Sequence, residues 1–451
     1  MKKKENPDFP NQTHRLIVLD DDPTGIQTVH DCLVLTVWDD VSLQTAFQDE
    51  IPFFFILTNT RALTAEVARK TITDVVTQVM KNASEADQKI TFLFRSDSTL
   101  RGHFPLELET IVEVANLKTD ARFFVAAFFE GGRITENNQH YLLQSGNRIP
   151  CDQTEFARDS VFGYSTSHLP DYIHEKTSGR IKSEMVLSIG RNLLDGGHEK
   201  ELDDLICSLH DDSYVLVNAT NYDELNRFGT SLKKAIGSGK EFIFQSSASL
   251  VKTLSGCLNR EYYAKKTTSG PGLIIIGSHV DKTTLQLNDL RSRAQLIKPI
   301  GIDVSLLLEN PEAVITEVQD LLAKCGKSGH TPVLYTSRNE IAFKDKTTRL
   351  AAGLKISEFF NHMVKTCPFQ PSFCISKGGI TSHEILARGL DVRIARVLGQ
   401  AAAGIPVIEM PSEHRWSKMP FVIFPGNVGE DKTLTEVYQR LSATQTLINN
   451  V

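Results

Sequence analysis

Residues 94–107 read Phe-Arg-Ser-Asp-Ser-Thr-Leu-Arg-Gly-His-Phe-Pro-Leu-Glu, and the rest of the chain is organised around this stretch. The apolar run from Ile90 to Phe94 gives way at once to a polar cluster, the pattern of a buried strand that delivers side chains at its carboxyl end. In open α/β sheets, ligands bind outside that end. The cluster brings one acid (Asp97), two cations (Arg95 and Arg101), two hydroxyls (Ser98 and Thr99) and Gly102, which lets backbone come close to a ligand. Together these groups suit a small, anionic, polyhydroxylated molecule. A turn that merely caps the helix expected from about Pro105 would use the Ser and Asp but neither arginine.

Working outward, three more apolar runs end in the same way. Leu16 to Gly25, Leu-Ile-Val-Leu-Asp-Asp-Asp-Pro-Thr-Gly, closes a strand (Leu16–Leu19) on three adjacent carboxylates followed by Thr24 and Gly25. Adjacent acids repel, and a fold tolerates them most readily where a cation or a hydroxyl-rich ligand compensates; a plain acidic turn is the alternative. Pro52–Leu57 ends in Thr58-Asn59-Thr60-Arg61, and Phe123–Phe129 ends in Glu130-Gly131-Gly132-Arg133-Ile134-Thr135. An amphipathic helix is expected from about Ala65 to Met80. Short apolar runs alternating with helices predict a parallel sheet with covered faces, so the four polar ends share one edge and converge on one pocket. Between Tyr141 and Ser208 the pattern loosens into connecting or covering structure. It resumes with Tyr214–Asn218, a helix over Asp223–Ile236 and a strand over Glu241–Gln245.

Tyr263 to Gly272, Tyr-Ala-Lys-Lys-Thr-Thr-Ser-Gly-Pro-Gly, reads as a linker, placing one domain at 1–262 and a second at 272–451. The second opens with a strand, Leu273–Gly277, ending at Ser278 before a helix from about Lys282 to Arg293. Ser372–Ile375 leads into Ser376-Lys377-Gly378-Gly379-Ile380-Thr381-Ser382, ahead of a helix near His383. Exposed amides, hydroxyls and a lysine suit nucleotide phosphates, although the Walker A spacing is absent. Phe421–Phe424 ends in Pro425-Gly426-Asn427-Val428-Gly429-Glu430, a third glycine-bearing turn suited to close backbone approach. His103, His279 and His383 lie beside these loops without partners at metal-ligand spacing, so surface roles are expected of them and no metal ligand is assigned.

The chain has 451 residues, long enough for about two or three domains. Its 49 Lys plus Arg against 55 Asp plus Glu give a formal charge of −6, which argues against a nucleic-acid surface. Seven cysteines without a CxxC pair fit a reduced compartment. The basic Met1–Lys4 segment lacks a following apolar region, and no apolar stretch approaches the ~18 residues of a membrane helix. A cytoplasmic protein without membrane or nucleic-acid partners is expected.

These motifs resemble those of the four-carbon acid sugar kinases, ATP-dependent enzymes that phosphorylate tetronates and related sugar acids. Asp21-Asp22-Pro23-Thr24-Gly25 is similar to the family's Asp-Asp-x-Thr-Gly motif, and Asp97-Ser98-Thr99-Leu100-Arg101-Gly102 to its Asp-Ser-Thr-Leu-Arg-Gly motif. The likeness runs from Asp20 to about Gly429. It departs at Pro23, at Ile26-Gln27-Thr28, at Arg95 where a lysine is frequent, and in the Phe-Pro-Gly-Asn turn, which leaves the particular sugar acid open. The resemblance implies two α/β domains, each a largely parallel sheet flanked by helices, with the active site in the cleft between them. It further implies ATP and Mg2+ as cofactors and an anionic sugar-acid substrate, with a homodimer left open. Ser278, Lys377, Gly378, Gly379, Ile380, Thr381, Gly426 and Asn427 are the nucleotide-binding candidates. On the sugar side, Arg101 and Arg61 would hold the carboxylate, Asp21 and Asn59 would bind hydroxyls, and either Asp22 or Asp97 would take the proton. Thr24, Arg95, Ser98, Thr99, Gly132 and Arg133 would complete the substrate pocket. The rivals are a sugar-acid dehydrogenase, weakened by the missing Gly-x-Gly-x-x-Gly turn, and a non-catalytic sugar-acid sensor.

Overall fold

In a computed structural model, which describes residues 9, 13–144, 146–264, 270–338 and 346–442, the apolar runs become strands buried on both faces. The chain divides into two compact units, Met1–Asn259 and Arg260–Val451. In the first, β1 (His14–Asp20), β2 (Leu33–Leu35), β3 (Phe53–Leu57), β4 (Lys89–Arg95) and β5 (Ala121–Val125) are followed by three short strands, β6 (Arg133–Glu136), β7 (Gln139–Gln144) and β8 (Asn147–Pro150). Then come β9 (Leu187–Ile189), β10 (Ser213–Val217) and β11 (Phe242–Ser246). The main sheet runs β2-β3-β1-β4-β11-β5-β10-β9, and its pairs are all parallel. Its register positions the site. Asp20 of β1 lies level with Leu57 of β3 and Arg95 of β4, and Ser246 of β11 lies level with Arg95 and with Val125 of β5. Five strands therefore release their polar carboxyl ends at one height.

The helix Ala65–Glu85 shows why such segments pack where they do. Thr64 caps it by accepting from the Val67 N–H, and Ala68, Ile72, Val75, Val76, Val79 and Ala83 form its buried stripe. Two expectations for this unit are corrected. The fourth run stops as a strand at Val125, and Phe129–Gly131 is a single 3-10 turn. The loosely patterned stretch after Tyr141 holds regular structure: with β6 just before it, β7 and β8 form an antiparallel sheet, and helices span Leu169–Lys176 and Glu199–Ser208. Half-exposed strands of mixed polarity lack the continuous apolar signal that marks a strand covered on both faces.

The second unit contains β12 (Leu273–Ile276), β13 (Ile297–Ile302), β14 (Thr331–Thr336), β15 (Cys374–Lys377), β16 (Ile394–Ala402), β17 (Ile405–Glu409) and β18 (Pro420–Phe424). Their order is β13-β14-β12-β15-β18-β17-β16, parallel as far as β18 and antiparallel beyond it, so this sheet is mixed. Ile274, Ile276, Val422 and Phe424 pack with Leu434, Val437 and Leu441 of the helix Thr433–Leu441. Ile276, Lys377 and Phe424 are level across β12, β15 and β18, so the three glycine-bearing turns that follow leave the sheet together. Lys377 was expected in the loop and is instead the last residue of β15; the helix expected near His383 already begins at Gly379.

Candidate functional site

In the first unit, the common height of the strand ends gathers charge. Arg61, one turn after β3, is the hub. Its guanidinium lies 3.3 Å from Asp21, 2.7 Å from Asp22 and 3.6 Å from Asp97. Burial works against its charge, but these carboxylates hold it firmly protonated. Arg95 reaches Asp20 at 3.3 Å and Asp21 at 3.8 Å from beneath. Arg101 donates through Nε to Asp97 at 2.7 Å, and its guanidinium lies 4.9 Å above the Phe156 ring.

Each acid is set by its surroundings. Asp22, the most exposed of the first three, accepts the Thr24 N–H at 2.8 Å and the Thr24 hydroxyl at 2.6 Å. Burial would raise its pKa, but Arg61, Arg95 and Thr24 hold it below the ordinary value. Asp97 is likewise drawn well below the carboxylate range, with Arg101, Arg61 and the Thr99 hydroxyl outweighing burial. Asp20 and Asp21 have fully buried side chains. Burial pushes Asp21 to about 6 against the pull of Arg61 and Arg95, and pushes Asp20 to about 8 despite Arg95. Gly25 makes this packing workable, because a Cβ there would sit 1.7 Å from an Asp20 carboxylate oxygen.

The remaining sugar-side candidates are placed as follows. Asn59 takes a left-handed conformation (φ 52°) and donates its N–H to the Asp20 carbonyl. Ser98 and Thr99 are buried and chiefly offer backbone, since their carbonyls accept from His140 Nε2 at 2.8 Å and Tyr164 OH at 2.9 Å. Gly132 (φ 72°) serves the backbone: a Cβ there would come within 3.0 Å of the Leu143 carbonyl. Arg133 donates to the Gly131 carbonyl and feels the charge of Asp97. His103, expected at the surface, is held by the Thr60 and Leu63 carbonyls and packs against Phe162.

Residues without a sequence motif complete the cluster. Glu107, buried in the first turn of the helix Leu106–Val114, accepts the Thr60 hydroxyl at 2.5 Å and is pushed to about 8, first by burial and then by Asp21. Tyr172 donates to the Leu100 carbonyl at 2.8 Å, so His140, Tyr164 and Tyr172 pin the Asp97–Arg101 turn at three successive carbonyls.

In the second unit, Ser278, the turn Gly378–Thr381 and Gly426 meet. A Cβ on Gly426 would lie 2.8 Å from Ser278 Oγ, and one on Gly378 (φ 120°) would lie 3.2 Å from Thr381 Oγ1. Thr283 donates to Ser278 Oγ or to the Gly426 carbonyl, both at 3.0 Å, and Arg338 donates to the Ser278 carbonyl at 2.6 Å. Gly379, Ile380 and Thr381 form the first turn of the short helix that follows, and Ile380 and Asn427 are exposed. Lys377 is fully buried, with its ammonium on the Pro425 carbonyl at 2.9 Å and 3.9 Å from the Phe424 ring centre; burial first, then Lys282 and Arg338, lower its pKa. Among the described residues, no three His, Cys, Asp or Glu are grouped to hold a metal ion, and no helix is long and apolar enough to cross a membrane.

Known proteins match this layout. A profile of a sugar-binding N-terminal domain matches residues 16–254, and one of a nucleotide-binding C-terminal domain matches residues 273–434. Among curated proteins none matches. The crystal structure of a Haemophilus influenzae protein of a family of unknown function is 16% identical, with a TM-score of 0.64 over 93% of this chain and 98% of that one. A Salmonella typhimurium LT2 protein described as a tRNA synthase is 15% identical, with a TM-score of 0.68 over 94% and 98%. At such identity these likenesses speak to the fold alone. The two profiles together span nearly the whole described chain, and the chain therefore belongs to the family that joins a sugar-binding N-terminal domain to a nucleotide-binding C-terminal domain, the domain pair of the four-carbon acid sugar kinases.

Proposed function

We propose that this protein is an ATP-dependent kinase that transfers the γ-phosphate to a hydroxyl of a small sugar acid of the four-carbon type. The observation that carries this reading is the gathering of guanidiniums and carboxylates at the strand ends of the sugar-binding domain. Asp20, Asp21, Asp22, Asp97 and Glu107 meet Arg61, Arg95, Arg101 and Arg133. Burial disfavours the charged forms of Asp20 and Glu107, and Asp159 lies 3.8 Å from Arg101, so the edge presents several guanidiniums interleaved with carboxylates, a setting that suits a ligand carrying both a carboxylate and hydroxyls.

In this reading Arg101, with Arg133 behind it, takes the substrate carboxylate, the planar fork of a guanidinium matching it through two parallel hydrogen bonds. Arg61 fixes the spacing of Asp21, Asp22 and Asp97. Asp97, ionised and oriented by Arg101 and Thr99, accepts the proton of the attacking hydroxyl. Phosphoryl transfer asks chiefly for positioning and charge neutralisation, so a weakly basic carboxylate suffices. In the nucleotide-binding domain, Gly378 and Gly426 bring backbone so close to the Thr381 and Ser278 hydroxyls that a side chain on either glycine would intrude, a glycine- and hydroxyl-lined turn that suits phosphates. Magnesium, when bound with the nucleotide, neutralises phosphate charge. It takes only one or two protein carboxylates beside phosphate and water.

The test is incubation of the full chain with magnesium ATP and a panel of tetronates, following ADP and phosphorylated acid. Acid-dependent ADP formation supports the reading. Binding of acid without transfer would indicate a sensor, and acid-dependent nicotinamide reduction a dehydrogenase.

A further inference from the structure

The end of β11, Gln245-Ser246-Ser247, has no part in the mechanism above, yet it reaches the same edge. Gln245 lies level with Phe94 of β4 and Phe124 of β5, and it is 6% exposed. Its Oε1 has no hydrogen-bond partner among the described residues. Buried amide oxygens are nearly always paired with protein, water or ligand. With Asp97, Arg101, Phe104, Phe124 and Tyr172, Gln245 lines a cavity of about 10 Å³, room for about one water-sized group. The other polar groups at this end are already engaged. The Tyr172 hydroxyl donates to the Leu100 carbonyl at 2.8 Å, Ser246 Oγ to the Ser247 carbonyl at 2.8 Å, and Ser247 Oγ to the Ser96 carbonyl at 3.3 Å. Phe104 packs against Phe124 at 5.2 Å and stacks on Tyr172 at 6.0 Å, so the remaining wall is apolar and braced.

We propose that Gln245 reads one hydroxyl of the sugar acid, seated in this cavity beside the group that reacts at Asp97, and thereby sets which acids are accepted. A hydroxyl fits for two reasons: it is the size of the cavity, and it both donates and accepts, so either end of the amide can meet it. A carboxylate is too large for the space, and a methylene leaves the amide unpaired. The inference rests on the sugar-acid reading and deepens it to a specificity determinant.

The experiment compares 2,3,4-trihydroxybutanoate with analogues lacking one hydroxyl at a time, using kcat/KM for transfer and calorimetric binding without nucleotide, on the full chain. Wild type should disfavour one deoxy analogue by about 100-fold, because that analogue leaves the buried amide unpaired. Gln245→Met, close in volume, should lower use and binding of the trihydroxy acid by about 30-fold and leave that deoxy analogue unchanged, so that discrimination collapses to a few-fold. Gln245→Leu serves if the methionine variant does not fold. An equal fall for both acids would mean a structural role and overturn the proposal, and unchanged discrimination would reduce the cavity to a water site and do the same. If wild type binds the acids with this selectivity but transfers no phosphate, the kinase reading fails while the specificity assignment stands. If wild type neither binds nor phosphorylates any acid, both fall.

Discussion

Replacing Asp97 by Asn removes one charge while keeping the shape of the side chain. The carboxylate accepts Arg101 Nε at 2.7 Å and the Thr99 hydroxyl, and lies 3.6 Å from Arg61. The amide oxygen can still accept from Arg101, so the turn stays in place, but a charge-assisted bond becomes an ordinary one. That change costs about 1–2 kcal/mol, from roughly 1.5–3 for hydrogen bonds to charged groups against roughly 0.5–1.5 for neutral ones. Relief of repulsion with Asp21 offsets part of it. A lost base costs about 10²–10⁴ in rate, or about 3–5 kcal/mol of transition-state stabilisation. The two magnitudes differ enough to separate: Asp97→Asn should melt only a few degrees lower and yet turn over at least about a hundredfold more slowly at saturating ATP and acid. ADP release and a thermal melt on one preparation make the measurement. A folded variant whose turnover stays within about threefold of wild type would refute the role given to Asp97, since the loss expected of a removed base starts near a hundredfold.

Asp20 and Glu107 hold protons in the native state up to about 8, against ordinary values of 3.8 and 4.5, so the unfolded chain releases them first. Their stabilisation is complete below the ordinary values and is lost as pH rises through about 8. Melting temperature should therefore fall as pH rises from roughly 4 to 8, and sugar-acid binding should weaken as pH passes through about 8; a slope unchanged by Glu107→Gln would contradict the assignment of that proton. Gly25→Ala forces a methyl to within 1.7 Å of the Asp20 carboxylate, and overpacking of this kind should cost about 1–3 kcal/mol plus the strained Arg95 contact, read as a lower denaturation midpoint; an unshifted midpoint would mean that the turn relaxes freely. Gly426→Ala comes too close to Ser278 Oγ alone, at 2.8 Å, with Ser278 Cβ and Val280 at ordinary contact distance, and a hydroxyl can rotate away, so stability should hold while affinity for a magnesium-bound ATP analogue falls about tenfold, or ~1.4 kcal/mol; unchanged affinity by calorimetry would remove that turn from the nucleotide site.

The strands of the main sheets were legible because they are covered on both faces and so carry continuous apolar runs, as in Phe53–Leu57 and Leu273–Ile276. Polar residues directly after such runs, Asp21, Asp22, Arg61, Asp97 and Arg101, are the ones the register of a parallel sheet brings side by side. The antiparallel β6-β7-β8 sheet was not legible, because strands such as Gln139–Gln144 mix polar and apolar residues on partly exposed faces. Glu107 looks like an ordinary acid in a helix's first turn, and only the fold brings Thr60 to it. Lys377 stands in glycine- and hydroxyl-rich company that suggests a loop, yet a carbonyl and an aromatic face are waiting for it inside the sheet. Gln245 carries no motif, and its meaning lies in an oxygen left without a partner.

The most direct measurement is phosphorus NMR of the full chain mixed with magnesium ATP and 2,3,4-trihydroxybutanoate. The account predicts loss of the γ-phosphate signal, growth of a phosphomonoester on the acid, and ADP in equal amount, all abolished when the acid is omitted. Release of inorganic phosphate alone, or no reaction with any stereoisomer of the acid although calorimetry shows that it binds, would contradict the claim that this protein is a sugar-acid kinase.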